Sequence, residues 1–159
     1  MFIKLICCAF SVDAEVIGIN TTKITASVGV QLWNDRKYTI TELPGYLDGA
    51  ILFQGPHSPI AAETMISITA SRTSTLYIAI SNNRNGGLPD TLQSDGWKLT
   101  DGNVIYTSNS NGLNFRAFMN IWTESVAANS TTKFALPVSD VTLAIFVANG
   151  ACMVSQIIL

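Results

Sequence analysis

The sequence predicts an all-β domain, an antiparallel sandwich of jelly-roll type. Three observations carry that reading. Apolar residues follow a period of two or fall in short blocks, and no amphipathic helical stripe stands out. Six of the eleven glycines directly follow Asn or Asp: Asp48-Gly49, Asn85-Gly86, Asp95-Gly96, Asp101-Gly102, Asn111-Gly112 and Asn149-Gly150. Such pairs tolerate the positive φ of type I′ turns, which match strand twist and close hairpins. The polar content is mostly neutral, with 16 Thr, 14 Ser and 12 Asn against a charged share of 13%. Thr suits strands, and Ser and Asn suit turns.

Taken in order, residues 1–14 read as a short secretory signal. Lys4 supplies a positive charge, residues 5–10 are apolar, and Val12-Asp13-Ala14 fits the small-residue rule for cleavage after Ala14. That leaves 15–159 as a single sandwich domain, secreted and extracellular. Strands are predicted at 23–32, 37–40, 50–54, 64–70, 75–81, 97–100, 103–107, 114–122, 133–136, 141–148 and 151–158, a spacing that suits a sandwich. Residues 56–59 and 82–89 read as longer loops. Asp101-Gly102 is expected to join 97–100 to 103–106, and Asn149-Gly150 to join 141–148 to 151–158.

The last hairpin is apolar on both faces. A two-residue turn sets Val147 opposite Cys152 and Ile145 opposite Val154. One face then carries Ile145, Val147, Cys152 and Val154, the other Phe146, Met153 and Ile157. A sandwich strand needs one buried face, so the second must pack on another element or another subunit. With a mean hydropathy of +0.33, this points to a homo-oligomer whose interface holds Phe146, Met153 and Ile157. Replacing Phe146 with Asp is then expected to dissociate it into folded monomers.

The chain offers little for catalysis. There is one histidine, His57, in a Pro-flanked loop, and no G-x-S-x-G elbow. Cys152 lies in an apolar segment, where a thiol is protonated and shielded. No zinc or EF-hand spacing occurs. Asp90, Asp95 and Asp101 are close enough in sequence to suggest calcium, yet turn formation explains all three. Nothing singles out a glycosidase carboxylate pair among the eleven acids. No enzyme and no cofactor are expected. A net charge of −2 gives no footprint for nucleic acid or an anionic membrane, and no segment after the leader is long enough to insert in a bilayer. Asn20 and Asn129 open N-glycosylation sequons.

Binding is better supported. Sugar sites pair exposed aromatic rings with Asn, Asp and Arg. The candidates are Trp33 beside Asp35, the Asn82-Asn83-Arg84 loop, and Trp97 after Asp95. Trp122 and Tyr77 are assigned to the core. The expected ligand is a glycan or a matrix component; the alternative is a structural or adhesive extracellular subunit that self-assembles through the apolar C-terminal hairpin.

One stretch carries a family resemblance. Arg36-Lys37-Tyr38-Thr39 precedes Leu43-Pro44 and Tyr46-Leu47-Asp48-Gly49-Ala50. Leu76-Tyr77-Ile78-Ala79-Ile80, Arg84, Leu88-Pro89, Leu92, Gly96-Trp97 and Thr100-Asp101-Gly102 follow. This order, over about residues 33–107, resembles the accessory β-sandwich modules of secreted bacterial polysaccharide-degrading enzymes and surface proteins. Those modules carry an R-x-Y-x-F…P-x-x-L-x-G-A segment, then V-Y-V-A-x-D-x-R…P-x-W-L. The resemblance implies a non-catalytic extracellular module. Of the family's polar positions only Arg84 is matched. Its acidic residue corresponds to Ser81 or Asn82-Asn83, and its Trp to Thr91.

Overall fold

The computed structural model describes residues 12–57, 60–108 and 115–149. In chain order the elements are β1 (Ala14–Ile17), β2 (Thr22–Thr25), β3 (Gln31–Trp33), β4 (Arg36–Glu42), β5 (Ile51–Gln54), β6 (Met65–Ala70), β7 (Ser74–Ser81), α1 (Leu88–Ser94), β8 (Lys98–Ser108), β9 (Phe115–Val126), β10 (Thr131–Ala135) and β11 (Leu143–Asn149). The strands form two antiparallel sheets. One is β1-β6-β10; the other, which curls, is β2-β5-β11-β7-β9-β8-β4-β3. The all-β sandwich is the architecture the strand pattern predicts.

The curl gives the large sheet two buried faces. Its alternation sends Leu76, Ile78 and Ile80 of β7 and Leu143, Ile145 and Val147 of β11 into the core between the sheets, with Ile66, Ile68 and Phe134. The alternate residues, Ala79, Ala144 and Phe146, enter a second core inside the curl with Leu32, Trp33, Ile40, Leu47 and Leu52. The central strands are therefore apolar on both sides because their own chain covers both.

This corrects the expected interface. Phe146 is 0% exposed, within the second core. The expected hairpin pairing is also excluded, since β11 is flanked on both edges. Ile145, Phe146 and Val147 pair with Phe53, Leu52 and Ile51 of β5 on one side, and with Ile78, Tyr77 and Leu76 of β7 on the other. The places opposite Val147 and Ile145 are thus taken by strands distant in sequence. Cys152, Met153 and Ile157 lie outside the described residues.

The described Asx-Gly pairs do hold left-handed glycines: φ is 80° at Gly49, 55° at Gly86, 94° at Gly96 and 127° at Gly102. None of the four closes a hairpin. Asp101-Gly102 sits inside β8, which runs unbroken from Lys98 to Ser108. Leu99 pairs with Trp122 and Asn103 with Asn120, so β8 advances four residues while β9 advances two, a bulge. A Cβ on Gly102 would come within 3.2 Å of Tyr46 Oη and 3.3 Å of Pro44 Cγ, so the bulge is where the 44–46 turn presses on the sheet. Tyr46 Oη lies 3.0 Å from Thr100 Oγ1 and donates to the Asp101 carbonyl at 3.3 Å.

Two further segments differ from expectation. Part of the expected 82–89 loop begins α1, with Leu88 and Leu92, four apart, buried and Pro in its first turn. The expected 23–32 strand is divided between β2 and β3. At the start of the described chain, Val12 and Ala14 are buried, and Ala14 pairs with Ala70. The Asp13 amide donates to Ser71 Oγ at 3.0 Å, and its carbonyl accepts from the Ser71 amide at 2.8 Å. Of the residues assigned to a cleavage site, Ala14 thus opens the small sheet, and Val12 and Asp13 lead into it. Residues 1–11 lie outside the description.

Candidate functional site

At one end of the curl the second core opens into a depression of about 530 Å³. β4 brings Tyr38 and β8 brings Tyr106; the segment after β5 brings His57. The loop after β7 contributes Asn82, Asn83 and Arg84, β9 contributes Arg116, and Thr142 precedes β11. These residues span more than a hundred positions, and sheet pairing gathers them. Thr39 of β4 pairs with Thr107 of β8, and Tyr106 with Ala117 of β9.

Trp33 backs this site. It is 0% exposed, and its Nε1 donates to the Leu143 carbonyl at 2.9 Å. The His57 and Tyr106 rings meet it edge-on at 4.7 and 4.8 Å between centroids. Tyr38 stacks on Tyr106 at 5.9 Å with 19° between planes, and meets His57 edge-on at 5.2 Å. Edge-to-face and offset packing is the arrangement that aromatic quadrupoles favour. The expectation of an exposed Trp33 platform is therefore corrected: the indole is a buried support, and the rings lining the depression are those of Tyr38, His57, Tyr106 and Phe118.

Asp35 has a similar supporting part. Its Oδ1 accepts the His57 backbone N–H at 2.8 Å, which anchors the His57 segment to the β3–β4 turn. Arg36 pairs with the same carboxylate at 3.4 Å. Asn34 Nδ2 donates to the Gln54 carbonyl at 3.1 Å, tying that turn to the end of β5.

The 82–84 loop is fastened through its backbone. The Ser81 amide donates to the Thr142 carbonyl at 3.0 Å, and the Thr142 amide donates to the Arg84 carbonyl at 2.8 Å. Gly86 lies where any Cβ would collide with Val138 and Val141, so the loop turns tightly against the segment before β11. Arg84 Nε stands 3.7 Å from Asp140 Oδ1. Arg116 pairs with Glu42 across β8, and its guanidinium lies 4.9 Å from the Phe118 ring centre. Thr142 is 1% exposed, and its hydroxyl has no protein hydrogen-bond partner.

Two titratable rings are held neutral. Burial lowers the His57 pKa from 6.5; Arg36 and then Arg84 lower it further, and Asp35 opposes them. Burial raises Tyr106 above 10.0, partly offset by its hydrogen bond with Ser81. At neutral pH the site therefore presents an uncharged imidazole and a phenol, each able to donate and accept. His57 is the single histidine, so its ring proton resonance is unambiguous. Its NMR titration is expected to have a midpoint below 6.5, and Arg84→Gln should move that midpoint upward. As pH falls, the unfolded chain takes this proton first. The stability gained from a neutral His57 is full above 6.5 and is lost as pH falls toward the lowered folded value.

The other expected residues lie elsewhere. Trp97 is 2% exposed and packs edge-on against Phe134 at 6.1 Å, inside the core between the sheets. Asp95 caps the C-terminus of α1, where its amide donates to the Thr91 and Leu92 carbonyls. Neither lines the depression. Trp122 is buried and Tyr77 partly buried, as assigned. Asp90, Asp95 and Asp101 sit in the first turn of α1, at its C-cap and in the β8 bulge. Among the described residues no three His, Cys, Asp or Glu side chains form a group able to hold a metal ion. Asn20 and Asn129 are both exposed.

Sequence reasoning placed Asn82, Asn83 and Arg84 at the site and missed Tyr38, His57, Tyr106, Arg116 and Thr142. A second depression, of about 400 Å³, lies between Asp13–Val16 and Lys23. Lys23 Nζ there is 3.1 Å from Asp13 Oδ1. It gathers fewer converging rings and amides.

No family model and no curated protein matches the chain. Among solved structures it is similar to part of a β-glucuronidase from glycoside hydrolase family 2, with 16% identity, a TM-score of 0.60, and coverage of 86% of this chain and 13% of that one. It is also similar to part of a GH138 enzyme targeting pectin rhamnogalacturonan II, with 13% identity, a TM-score of 0.59, and coverage of 87% and 16%. The likeness shows a shared β-sandwich fold, and the chain spans a small part of each enzyme.

Proposed function

We propose that this chain is a secreted, extracellular, non-catalytic module that binds glycan, whether free or within a matrix, and that the Tyr38–Tyr106–Arg84 depression is its site. The observation carrying this is the composition of the lining. The half-buried Tyr38 ring offers an apolar face for sugar C–H groups, backed by the buried Tyr106 ring, while neutral His57, Asn82, Asn83 and Ser81 offer donors and acceptors for hydroxyls. Among the described residues no Asp or Glu lines the depression, and glycoside hydrolysis ordinarily uses a carboxylate pair. The fold shared with parts of two glycoside-active enzymes supports the glycan class. The two exposed sequons agree with a secreted chain. Self-association through the C-terminal segment would have to rest on Met153 and Ile157, since Phe146 is internal.

Calorimetric titration against a panel of neutral and acidic oligosaccharides tests the reading. Tyr38→Ala is expected to weaken binding by roughly ten-fold, the loss of one ring contact, with an unchanged circular dichroism spectrum. Undiminished binding by that variant would move the site elsewhere.

A further inference from the structure

We infer that the glycan taken by this depression is acidic, and that its negative substituent, a carboxylate or a sulfate ester, lies against Arg84. The inference rests on the glycan-binding reading above and adds the charge class of the ligand.

The first ground is charge segregation. The chain holds eleven acids and nine Lys and Arg, yet the charged side chains lining the depression are Arg84 and Arg116. A cleft lined by one sign of charge, with low-dielectric walls, focuses its field on a ligand of the opposite sign. The walls here are Tyr38, Tyr106 and the buried Trp33 behind them.

The second ground is what an internal group experiences. His57 sits among the same rings, and Arg36 and Arg84 each disfavour its cationic form more than the adjacent Asp35 favours it. Burial, the largest cause of the lowered pKa, penalises a charge of either sign there, whereas the contribution of the arginines changes sign and favours an anion.

The third ground is geometric. A guanidinium is a planar fork that matches carboxylate or sulfate oxygens in pairs. The carboxylates already near the two arginines do not fill the depression. Asp140 is 73% exposed and 3.7 Å from Arg84 Nε, and Glu42 is 59% exposed. Neither lines the cavity, and exposed pairs of this kind contribute little. The Arg84 carbonyl is fixed by the Thr142 amide at 2.8 Å, so the loop that presents the guanidinium is held before ligand arrives.

The test uses matched pairs of probes titrated into the full chain: trigalacturonic acid against its methyl ester, and a sulfated against a desulfated heparin hexasaccharide. In at least one pair the member carrying the additional anionic groups, the free carboxylates or the sulfates, should bind about ten-fold tighter or more. That gap should narrow as salt rises, and the pair that shows it identifies carboxylate or sulfate. Arg84→Gln should bring the pair close to parity, while Arg84→Lys keeps part of the difference. Arg84 is about half exposed and its fixed carbonyl belongs to the backbone, so both variants fold. Equal affinity within both pairs, or binding of neutral sugars alone, overturns the acidic reading and leaves glycan binding standing. A gap that survives Arg84→Gln overturns the placement at Arg84. No binding to any sugar overturns both.

Discussion

Phe146→Asp will abolish the folded state. The ring is 0% exposed, packed within the second core among Leu32, Leu47, Leu52 and Ile121. Truncating such a ring to Ala costs about 3–5 kcal/mol. Placing an unpaired carboxylate there costs several kcal/mol more, or forces its protonation. The sum is comparable with the whole stability of a typical domain, about 5–15 kcal/mol. Circular dichroism should show no cooperative thermal transition, and the protein should partition to aggregates. Phe146→Leu, which keeps the site apolar, should fold with a lowered melting temperature. A soluble, folded, monomeric Phe146→Asp would mean that this face is open after all.

Trp33→Ala should be nearly as severe and more informative about binding. It removes a fully buried indole, costing about 3–5 kcal/mol, and leaves the Leu143 carbonyl without its 2.9 Å donor. It also takes away the surface against which His57 and Tyr106 lean. Ligand affinity should therefore fall even under conditions where the variant remains folded. Trp33→Phe separates these effects. It keeps an apolar ring behind the tyrosines and loses the hydrogen bond, at about 1–3 kcal/mol, so urea unfolding should shift while binding largely survives. A melting temperature unchanged in Trp33→Ala would refute the packing described for this residue.

These residues also show what was legible in the sequence. That β7 and β11 are buried on both faces could be read from Leu76–Ile80 and Leu143–Val147, because period-two alternation was absent there. What buries them could not. Inside the curl the cover comes from β3, β4 and the 43–50 turn, which precede β7 by a few tens of residues and β11 by about a hundred, and apolar patterning carries no address. The Asx-Gly pairs were legible as backbone that needs positive φ. That requirement is local, so a helix end at Gly96 and a bulge at Gly102 satisfy it as well as a hairpin does.

At the site the polar loop 82–84 was legible because three consecutive exposed polar residues follow an apolar strand. Tyr38 and Tyr106 were hidden as ordinary strand aromatics, and they meet through β4–β8 pairing. His57 looked like an isolated loop residue, and the Asp35 contact that holds it crosses 22 positions. A tryptophan next to a polar turn reads the same whether its ring faces outward or inward. At Trp33 the distant carbonyl of Leu143, the first residue of β11, decides the matter.

The position of β11 bears on how the chain is made. Its pairing joins β2-β5 to β7-β9-β8-β4-β3, so the large sheet remains in two pieces until residues 143–149 leave the ribosome. During synthesis the inner edges of β5 and β7 have no partner strand, and the side chains that will face the two cores are uncovered. Such edges invite pairing between chains, and contacts this distant in sequence form slowly. Translation rate and chaperone supply while residues 143–149 are being made should then govern the yield of native protein more than the stability of the finished fold does.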